Sequence, residues 1–175
     1  MTASIEILSR SGYAEAIDGL ADVLSDCVEG GASVNFVAPY PPDMARRFWD
    51  GIAPAVEAGD IIVAVARIDG RIVGTAQLQL ITKPNQPHRA EIGKMLVHRA
   101  ARRQGLARAL LTRLEGEATA RGRWLLVLDT EEGSAAHALY KSLGWSEVGA
   151  IPDFALTGDG KAYCAAMFFY KRLAV

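Results

Sequence analysis

The stretch RRQGLA, at residues 102–107, places arginines, a glycine and an alanine at the predicted start of a helix. A glycine inside a helix costs about 1 kcal/mol relative to alanine, so its presence suggests a use for bare backbone. At a helix N-terminus several N–H groups lack intrahelical partners, and the helix dipole adds about half a positive charge. Because Gly105 and Ala107 leave these groups accessible, we predict that the stretch binds a pyrophosphate or a similar anion.

The charge around this stretch is strongly positive, although the whole chain is nearly neutral. It has 19 Lys and Arg against 20 Asp and Glu, a balance that argues against a nucleic-acid or membrane-surface binder. The motifs GxxxxGK[ST] and GxGxxG are absent, which disfavours nucleoside triphosphates and dinucleotides. A solvated basic helix face, with the glycine as an ordinary N-cap, remains the alternative. Between residues 92 and 114 the chain has no acidic residue and six basic ones: Lys94, Arg99, Arg102, Arg103, Arg108 and Arg113.

Apolar spacing and turn residues predict alternating strands and helices around the stretch. Helices are predicted at 13–29, at about 43–58 with a kink or early stop near Pro54, at 105–121 and at 134–143. Strands are predicted at 5–8, 89–97, 124–130, 145–154 and 163–171, and as a hairpin over 60–81 that turns at Asp69-Gly70. This order predicts an α/β or α+β fold with a mixed central sheet of about six to seven strands flanked by helices.

The length and composition predict a single cytoplasmic domain spanning residues 1–175. Half of the residues are hydrophobic, enough for one substantial core. The two cysteines, Cys27 and Cys164, lack CxxC spacing, and the N-terminal residues lack the layout of a secretory signal. No apolar run approaches the ~18 residues of a membrane span. The strand-helix-strand crossover over 89–130 would place the RRQGLA stretch at a strand's carboxyl end, where ligands of such units bind.

Two motifs in this crossover and after it resemble those of the GNAT superfamily of acetyl-CoA-dependent N-acetyltransferases. The family's R/Q-x-x-G-x-G/A loop is matched by Arg102, Gly105 and Ala107. Its later A-x-x-L-Y-x-x-x-G-F/W motif is matched by Ala136, Leu139, Tyr140, Gly144 and Trp145. Within the superfamily, the segments GGASV, AQLQLITKPNQPHRAEI, LDTEEGSA and AIPDFALTGDGKAY are similar to those of the tabtoxin resistance acetyltransferases.

The resemblance implies that acetyl-CoA is the cosubstrate and that no metal is needed. Its pyrophosphate would lie on the backbone of residues 102–108, namely Arg102, Arg103, Gln104, Gly105, Leu106, Ala107 and Arg108. Its pantetheine arm would add beside residues 95–97, namely Met95, Leu96 and Val97. A backbone N–H near Met95 or Leu96 would then act as an oxyanion donor. Many members carry asparagine seven residues before the tyrosine, where this chain has Gly133, and the Ser134 hydroxyl could replace that contact.

Acetyl transfer to an amine needs a base, because amines attack only in their neutral form. Strand alternation predicts that Glu91, Gly93, Met95 and Val97 share one face, and Glu91 matches the base position of several GNAT enzymes. Since Glu91 lies up to ~13 Å along the strand from Met95, it would act through water. Asp129, at the end of an apolar run, would orient or deprotonate the amine. The alternatives are an exposed strand charge for Glu91 and a turn cap for Asp129.

The resemblance further implies that Tyr140 protonates the leaving thiolate, with simple packing as the alternative. His88, His98 and His137 have no metal-ligand spacing, and His137 is predicted to be exposed. Residues 30–43 and 153–163 are the predicted substrate loops. The predicted acceptor is the primary amine of a small amino-acid-like or dipeptide-like compound, such as a toxin or antimetabolite. The alternatives are peptide or protein amines, or a catalytically silent acyl-CoA-binding module. A homodimer is compatible with the sequence.

Overall fold

The computed structural model describes residues 3–174 and contains a mixed sheet of seven strands. The strands are β1 (Ala3–Ile7), β2 (Ile61–Ile68), β3 (Arg71–Leu80), β4 (Arg89–Val97), β5 (Leu125–Glu131), β6 (Ser146–Leu156) and β7 (Tyr163–Arg172). Their order across the sheet is β1-β2-β3-β4-β5-β7-β6. Among these strands β4 and β5 are parallel neighbours, and every other neighbouring pair is antiparallel. The prediction of a mixed sheet with six to seven strands is confirmed.

Four α-helices and one short 3-10 turn, Arg99–Ala101, connect the described strands. Helix α2 continues through Pro54 to a left-handed Gly59, so the predicted early stop is wrong. Proline removes one N–H donor, and water can bond the carbonyl that it leaves free because Pro54 and Asp50 are both exposed. The helices are α1 (Arg10–Glu29), α2 (Pro42–Ala58), α3 (Leu106–Ala120) and α4 (Ala135–Ser142).

The two faces of the sheet carry separate hydrophobic cores. Alternation along β2 sends Val63 and Val65 into a core built with α1 and α2, and Ala64 and Ala66 into a core built with α3. The hairpin turn between β2 and β3 is the predicted Asp69-Gly70, and both residues have positive φ, as a tight two-residue turn requires. No helix within residues 3–174 is long and apolar enough to cross a membrane.

Candidate active site

Strand β4 carries a β-bulge at Lys94, whose φ is +47°. The extra residue shifts the pairing with β3 between Gly93 and Leu96. Leu96 therefore lies in the core formed with α1 and α2, whereas Met95 and Val97 pack against the core formed with α3. Beyond the bulge, each residue of β4 therefore faces the side of the sheet opposite to the one that regular alternation predicts.

The bulge overturns the prediction that Glu91, Gly93, Met95 and Val97 share one face. Along β3, the residues that pair with Glu91 and Gly93 alternate with residues that pack against α3. Glu91 and Gly93 therefore face the opposite side of the sheet, towards α1 and α2. Met95 and Val97 face α3. Side chains alternate between the two faces of a strand, so one extra residue reverses the face of every residue after it. Nothing in the local sequence marks Lys94 as the extra residue.

Strands β4 and β5 separate soon after they start. Their parallel pairing covers only residues 89–91 and 125–127, after which β4 stays with β3 and β5 stays with β7. One backbone edge of β4 therefore opens into a gap between the two strands. The Val97 carbonyl accepts hydrogen bonds from Cys27 Sγ at 3.4 Å and from Arg102 Nε at 3.2 Å. A free strand edge of this kind can pair with an extended ligand.

Glu91 and Asp129 lie on the same face of the sheet at the start of this gap. Glu91 is level with Val127 on the neighbouring strand, and Asp129 follows two residues later. Leu126 and Leu128 point into the core with α3, so Asp129 faces the other way, as Glu91 does. Strand spacings place the two carboxylate residues roughly 8 Å apart at their Cα atoms.

The two carboxylates have different surroundings. Glu91 Oε1 accepts a hydrogen bond from Arg89 Nη1 at 2.7 Å. Asp129 opens onto the surface of the gap, yet desolvation by the surrounding protein is the main cause that raises its pKa, and the Glu91 charge raises it further. Lys94 and the backbone N–H of Asp129 oppose the shift. A carboxyl with a raised pKa is a stronger base than an ordinary aspartate.

Lys94 faces the same side of the sheet as these carboxylates, next to two aromatic rings of the core formed with α1 and α2. Its Nζ is 5.3 Å from the ring centroids of both Phe36 and Phe48. Burial lowers the pKa of Lys94, and Asp129 opposes that shift. Within residues 3–174 the ammonium forms no ion pair or hydrogen bond. Sequence reasoning counted Lys94 only as part of a basic patch. The signal that it missed was a lysine in an otherwise apolar run after Glu91.

Tyr140 approaches the gap from the opposite face. It lies on α4, is only 4% exposed, and packs against Trp145 and Phe169 with ring centroids 5.8 Å apart in each pair. Burial, and then the Asp129 charge, raises the pKa of Tyr140 well above its usual value. Its hydroxyl forms no hydrogen bond to another described residue. Phe169 is the β7 partner of Leu128, the residue before Asp129, so Tyr140 packs against this part of β5.

The RRQGLA stretch forms an exposed loop leading into α3. Gly105 is the N-cap, with φ of +78° and no side-chain cap, and a Cβ there would meet nothing within 4 Å. Gly105 thus precedes the helix and does not interrupt it. The backbone N–H groups of residues 103–108 have no acceptor within the described part of the chain. Because the Leu106 side chain is buried, only its backbone can contact a ligand. These features fit a polyanion such as a pyrophosphate.

The predicted basic patch is smaller in the structure than in the sequence. Arg99 pairs with Asp26 at 2.8 Å, and Arg113 pairs with a glutamate one turn along α3 at 2.8 Å. Within residues 3–174, Arg103 and Arg108 form no ion pair or side-chain hydrogen bond. They are the basic side chains left to meet an anion at the loop, because Arg102 and Lys94 are directed elsewhere.

Ser134 and His137 both serve the start of α4. Ser134 Oγ caps the helix by accepting a hydrogen bond from the His137 N–H at 3.2 Å. His137 Nδ1 accepts from the Gly133 N–H at 3.0 Å, so the proton of the neutral ring lies on Nε2, 2.6 Å from Glu147 Oε1. The prediction of an exposed His137 is wrong, because its side chain is 13% exposed. A contact from Ser134 to a ligand would share the hydroxyl with this cap.

The two predicted substrate loops touch each other. The Ala38 N–H donates to the Gly158 carbonyl at 2.8 Å, and Ser33 Oγ donates to the Leu156 carbonyl at 3.3 Å. The first of these loops also supplies Phe36, one of the two rings beside Lys94. The two loops are therefore joined to each other, and the first of them contacts Lys94.

Comparison with known proteins shows the family to which the chain belongs. The model of the acetyltransferase (GNAT) family matches residues 26–145, which is more than half of the chain. The chain belongs to the GNAT acetyltransferase family. The predicted fold and the prediction of an acetyltransferase are thereby confirmed. The narrower resemblance to tabtoxin resistance enzymes stays a prediction.

Two curated relatives are each 33% identical to this GNAT chain. One is an uncharacterized N-acetyltransferase encoded in the hisH-hisA intergenic region of Azospirillum brasilense, similar over 78% of this chain and 89% of that protein. The other is N-acetylaspartate synthetase of Danio rerio, similar over 62% of this chain but only 38% of that protein. A solved structure, yncA of Salmonella typhimurium with acetyl-CoA, has a TM-score of 0.78 and 19% identity, covering 100% of this chain and 96% of that one. At that identity the likeness shows the GNAT fold alone.

Proposed function

We propose that this GNAT enzyme transfers the acetyl group of acetyl-CoA to the primary amine of a small amino-acid-like or dipeptide-like compound. One observation carries the proposal. Two carboxylates on one face of the sheet and a buried phenol on the other converge on the gap between β4 and β5. Proton acceptors and a proton donor at one gap are what acyl transfer to an amine requires.

The open edge of β4 and the loop before α3 support the assignment of acetyl-CoA. The backbone N–H groups of residues 103–108 would hold the pyrophosphate, with Arg103 and Arg108 beside them. The pantetheine arm would lie along the edge of β4 at residues 95–97. Leu96 directs its carbonyl towards β3, close to Gly74, so its own N–H points the same way. This geometry favours the Met95 N–H over that of Leu96 as the oxyanion donor.

The proton path follows from the positions of the acidic groups. Asp129 would receive the ammonium, because its charge acts on the pKa values of both Lys94 and Tyr140. Glu91 would then take its proton through a water molecule. As the amine nitrogen bonds to the acetyl carbon, the carbon–sulfur bond breaks and the thiolate takes a proton from Tyr140. Burial raises the pKa of Tyr140, so the phenol keeps its proton until a thiolate forms beside it.

Three further points support a small amino-acid-like acceptor. The two predicted substrate loops are hydrogen-bonded to each other, and one of them contacts Lys94 beside the gap. The similarity to N-acetylaspartate synthetase, whose name specifies an amino-acid product, covers 62% of this chain. The resemblance to tabtoxin resistance enzymes favours a toxin or antimetabolite in the cytoplasm. In this proposal the enzyme acts as a monomer or a homodimer.

The decisive experiment measures thiol release from acetyl-CoA with a panel of amino acids, dipeptides, polyamines and peptide N-termini. We expect turnover with members of the first two groups. Acetylation of peptides alone would reject the small-molecule acceptor. Acetyl-CoA binding without thiol release for any amine would reject catalysis and identify a silent acyl-CoA-binding module.

A further inference from the structure

The Lys94 side chain is partly buried, and its ammonium has no ionic partner within residues 3–174. It lies 5.3 Å from the centroids of two aromatic rings, Phe36 and Phe48, whose own ring centroids are 5.2 Å apart in an edge contact. No acceptor within residues 3–174 bonds any of its three N–H donors. Aromatic faces stabilise a cation but supply no hydrogen-bond acceptors. A partly buried ammonium in this state is suited to bind an anion that arrives from outside.

The position of Lys94 relative to Asp129 indicates which anion this is. Lys94 contacts Phe36 and Phe48 on the side of the sheet that α1 and α2 cover. Asp129 faces this same side, because Leu128 before it points into the core with α3. In an α-amino acid one carbon separates the ammonium from the carboxylate. A single small molecule can therefore offer its ammonium to Asp129 and its carboxylate to Lys94.

We propose that Lys94 binds the carboxylate, or a similar oxyanion, of the acceptor and so selects amines that also carry a negative charge. The inference rests on the proposed function and names the acceptor class that it would favour. The bulge aims the lysine into the gap, since regular alternation would place its side chain on the opposite face. Phe36 and Phe48 lie beside the ammonium, where their rings would also contact the apolar part of the acceptor.

The test compares each amino acid or dipeptide accepted by the wild-type enzyme with its C-terminal carboxamide, at equal concentrations of neutral amine. For Lys94→Met, we expect the KM of the acids to rise about tenfold or more, as for loss of one partner of a buried charge pair, and the KM of the carboxamides to stay within about twofold. Lys94→Arg should recover part of the loss. Both substitutions keep a side chain at the same positive φ, so the backbone strain is unchanged.

Lys83→Met is the matched control, because Lys83 is exposed in the connection between β3 and β4. It should leave the KM of both acceptor types unchanged. Equal increases for acids and carboxamides in Lys94→Met would overturn the proposal and show that Lys94 only supports Asp129. Equal wild-type KM values for acids and carboxamides would overturn it too.

A binding experiment separates this inference from the proposed function. N-acetyl-L-methionine has a carboxylate but no ammonium, and N-acetyl-L-methioninamide has neither. We expect the wild-type protein to bind the acid more tightly, and Lys94→Met to remove that preference. Failure of every amine to release thiol would reject the proposed function, whereas equal binding of these two compounds to the wild-type protein would reject the role of Lys94.

Discussion

Opposing interactions act on the pKa of the Asp129 carboxyl group. Desolvation and Glu91 disfavour its negative charge, whereas Lys94 favours it. The Asp129 carboxyl can therefore bind a proton or an ammonium group without a large free-energy cost. Glu91, held by Arg89, lies on the same face and is suited to pass the proton onward.

The two carboxylates should give different kinetic signatures. Glu91→Gln should lower the rate at neutral pH by about 10²-fold or more and recover partly as rising pH deprotonates the amine unaided. Asp129→Asn should chiefly raise the acceptor KM, because contact with the ammonium precedes the transition state. The measurement is the pH dependence of kcat and of kcat/KM for each variant. Near wild-type profiles and KM values in both variants would show that neither residue carries the chemistry.

Tyr140→Phe separates proton donation from packing. The ring contacts with Trp145 and Phe169 remain in this variant, and no hydrogen bond to another described residue is lost. We therefore expect a fall in kcat of about 10²-fold or more, with a thermal midpoint close to that of the wild type. An unchanged kcat in the folded variant would assign Tyr140 to the core alone.

Helix α3 is flanked by two glycines whose backbone has the left-handed conformation. Gly105 precedes its first turn with φ of +78°, and Gly122 follows its last turn with φ of +69°. Neither would place a Cβ within 4 Å of another group. Only Gly105 adjoins the run of N–H groups without acceptors, so the same substitution at the two ends distinguishes ligand contact from backbone strain.

Gly105→Val should raise the Kd of acetyl-CoA about tenfold or more, equivalent to about 1.4 kcal/mol, because the side chain would block the approach of the phosphates. Gly122→Val should lose similar stability, about 1–2 kcal/mol from strain, and leave the Kd unchanged. Calorimetric titration and thermal unfolding check both quantities. An equal Kd for the two folded variants would place the pyrophosphate elsewhere.

For the whole molecule, two aspartates should affect stability in opposite directions. Asp26, at the end of α1, bonds the backbone N–H and Nε of Arg99, both at 2.8 Å. Burial acts against its charge, but the bonds from Arg99 and the nearby His98 outweigh burial and lower the pKa of Asp26. Its charge therefore stabilises the fold at neutral pH, and this stabilisation is lost as the pH falls through the lowered pKa. The raised pKa of Asp129 has the opposite consequence.

Asp26→Asn should lower the free energy of unfolding at pH 7 by about 1–3 kcal/mol, the usual worth of a hydrogen-bonded buried charge. The difference from the wild type should shrink below about pH 4, where the wild-type carboxyl also becomes neutral. Asp129→Asn should raise stability at pH 7, because it removes a charge that costs folding energy, and this gain should also shrink towards pH 4. Urea unfolding at a series of pH values from 7 down to about 2 measures both effects. A loss of stability in Asp129→Asn at pH 7 would contradict the raised pKa.

Local patterns in the sequence were enough to determine most of the elements and the position of the loop that we propose to bind an anion. The Asp69-Gly70 turn, the strand at 89–97 and the start of α3 at Gly105 all depend on residues that are neighbours in the chain. Helical spacing, turn chemistry and glycine positions act over a few residues, so they can be interpreted without a fold. Glu91 was predicted from strand alternation and the family resemblance, Asp129 from its position after an apolar run, and Tyr140 chiefly from the family resemblance.

Only the tertiary structure decided which side chains meet. The bulge at Lys94 reverses the faces of the β4 residues that follow it. It depends on how β3 and β4 align and not on any local signal in the sequence. Arg99 is drawn from the predicted patch by Asp26, which is 73 residues away in the chain. Phe36 and Phe48 enclose Lys94 from helix α2 and the loop before it. Each of these contacts is chosen by packing between distant segments, and its energy is available only once the sheet and both cores have formed.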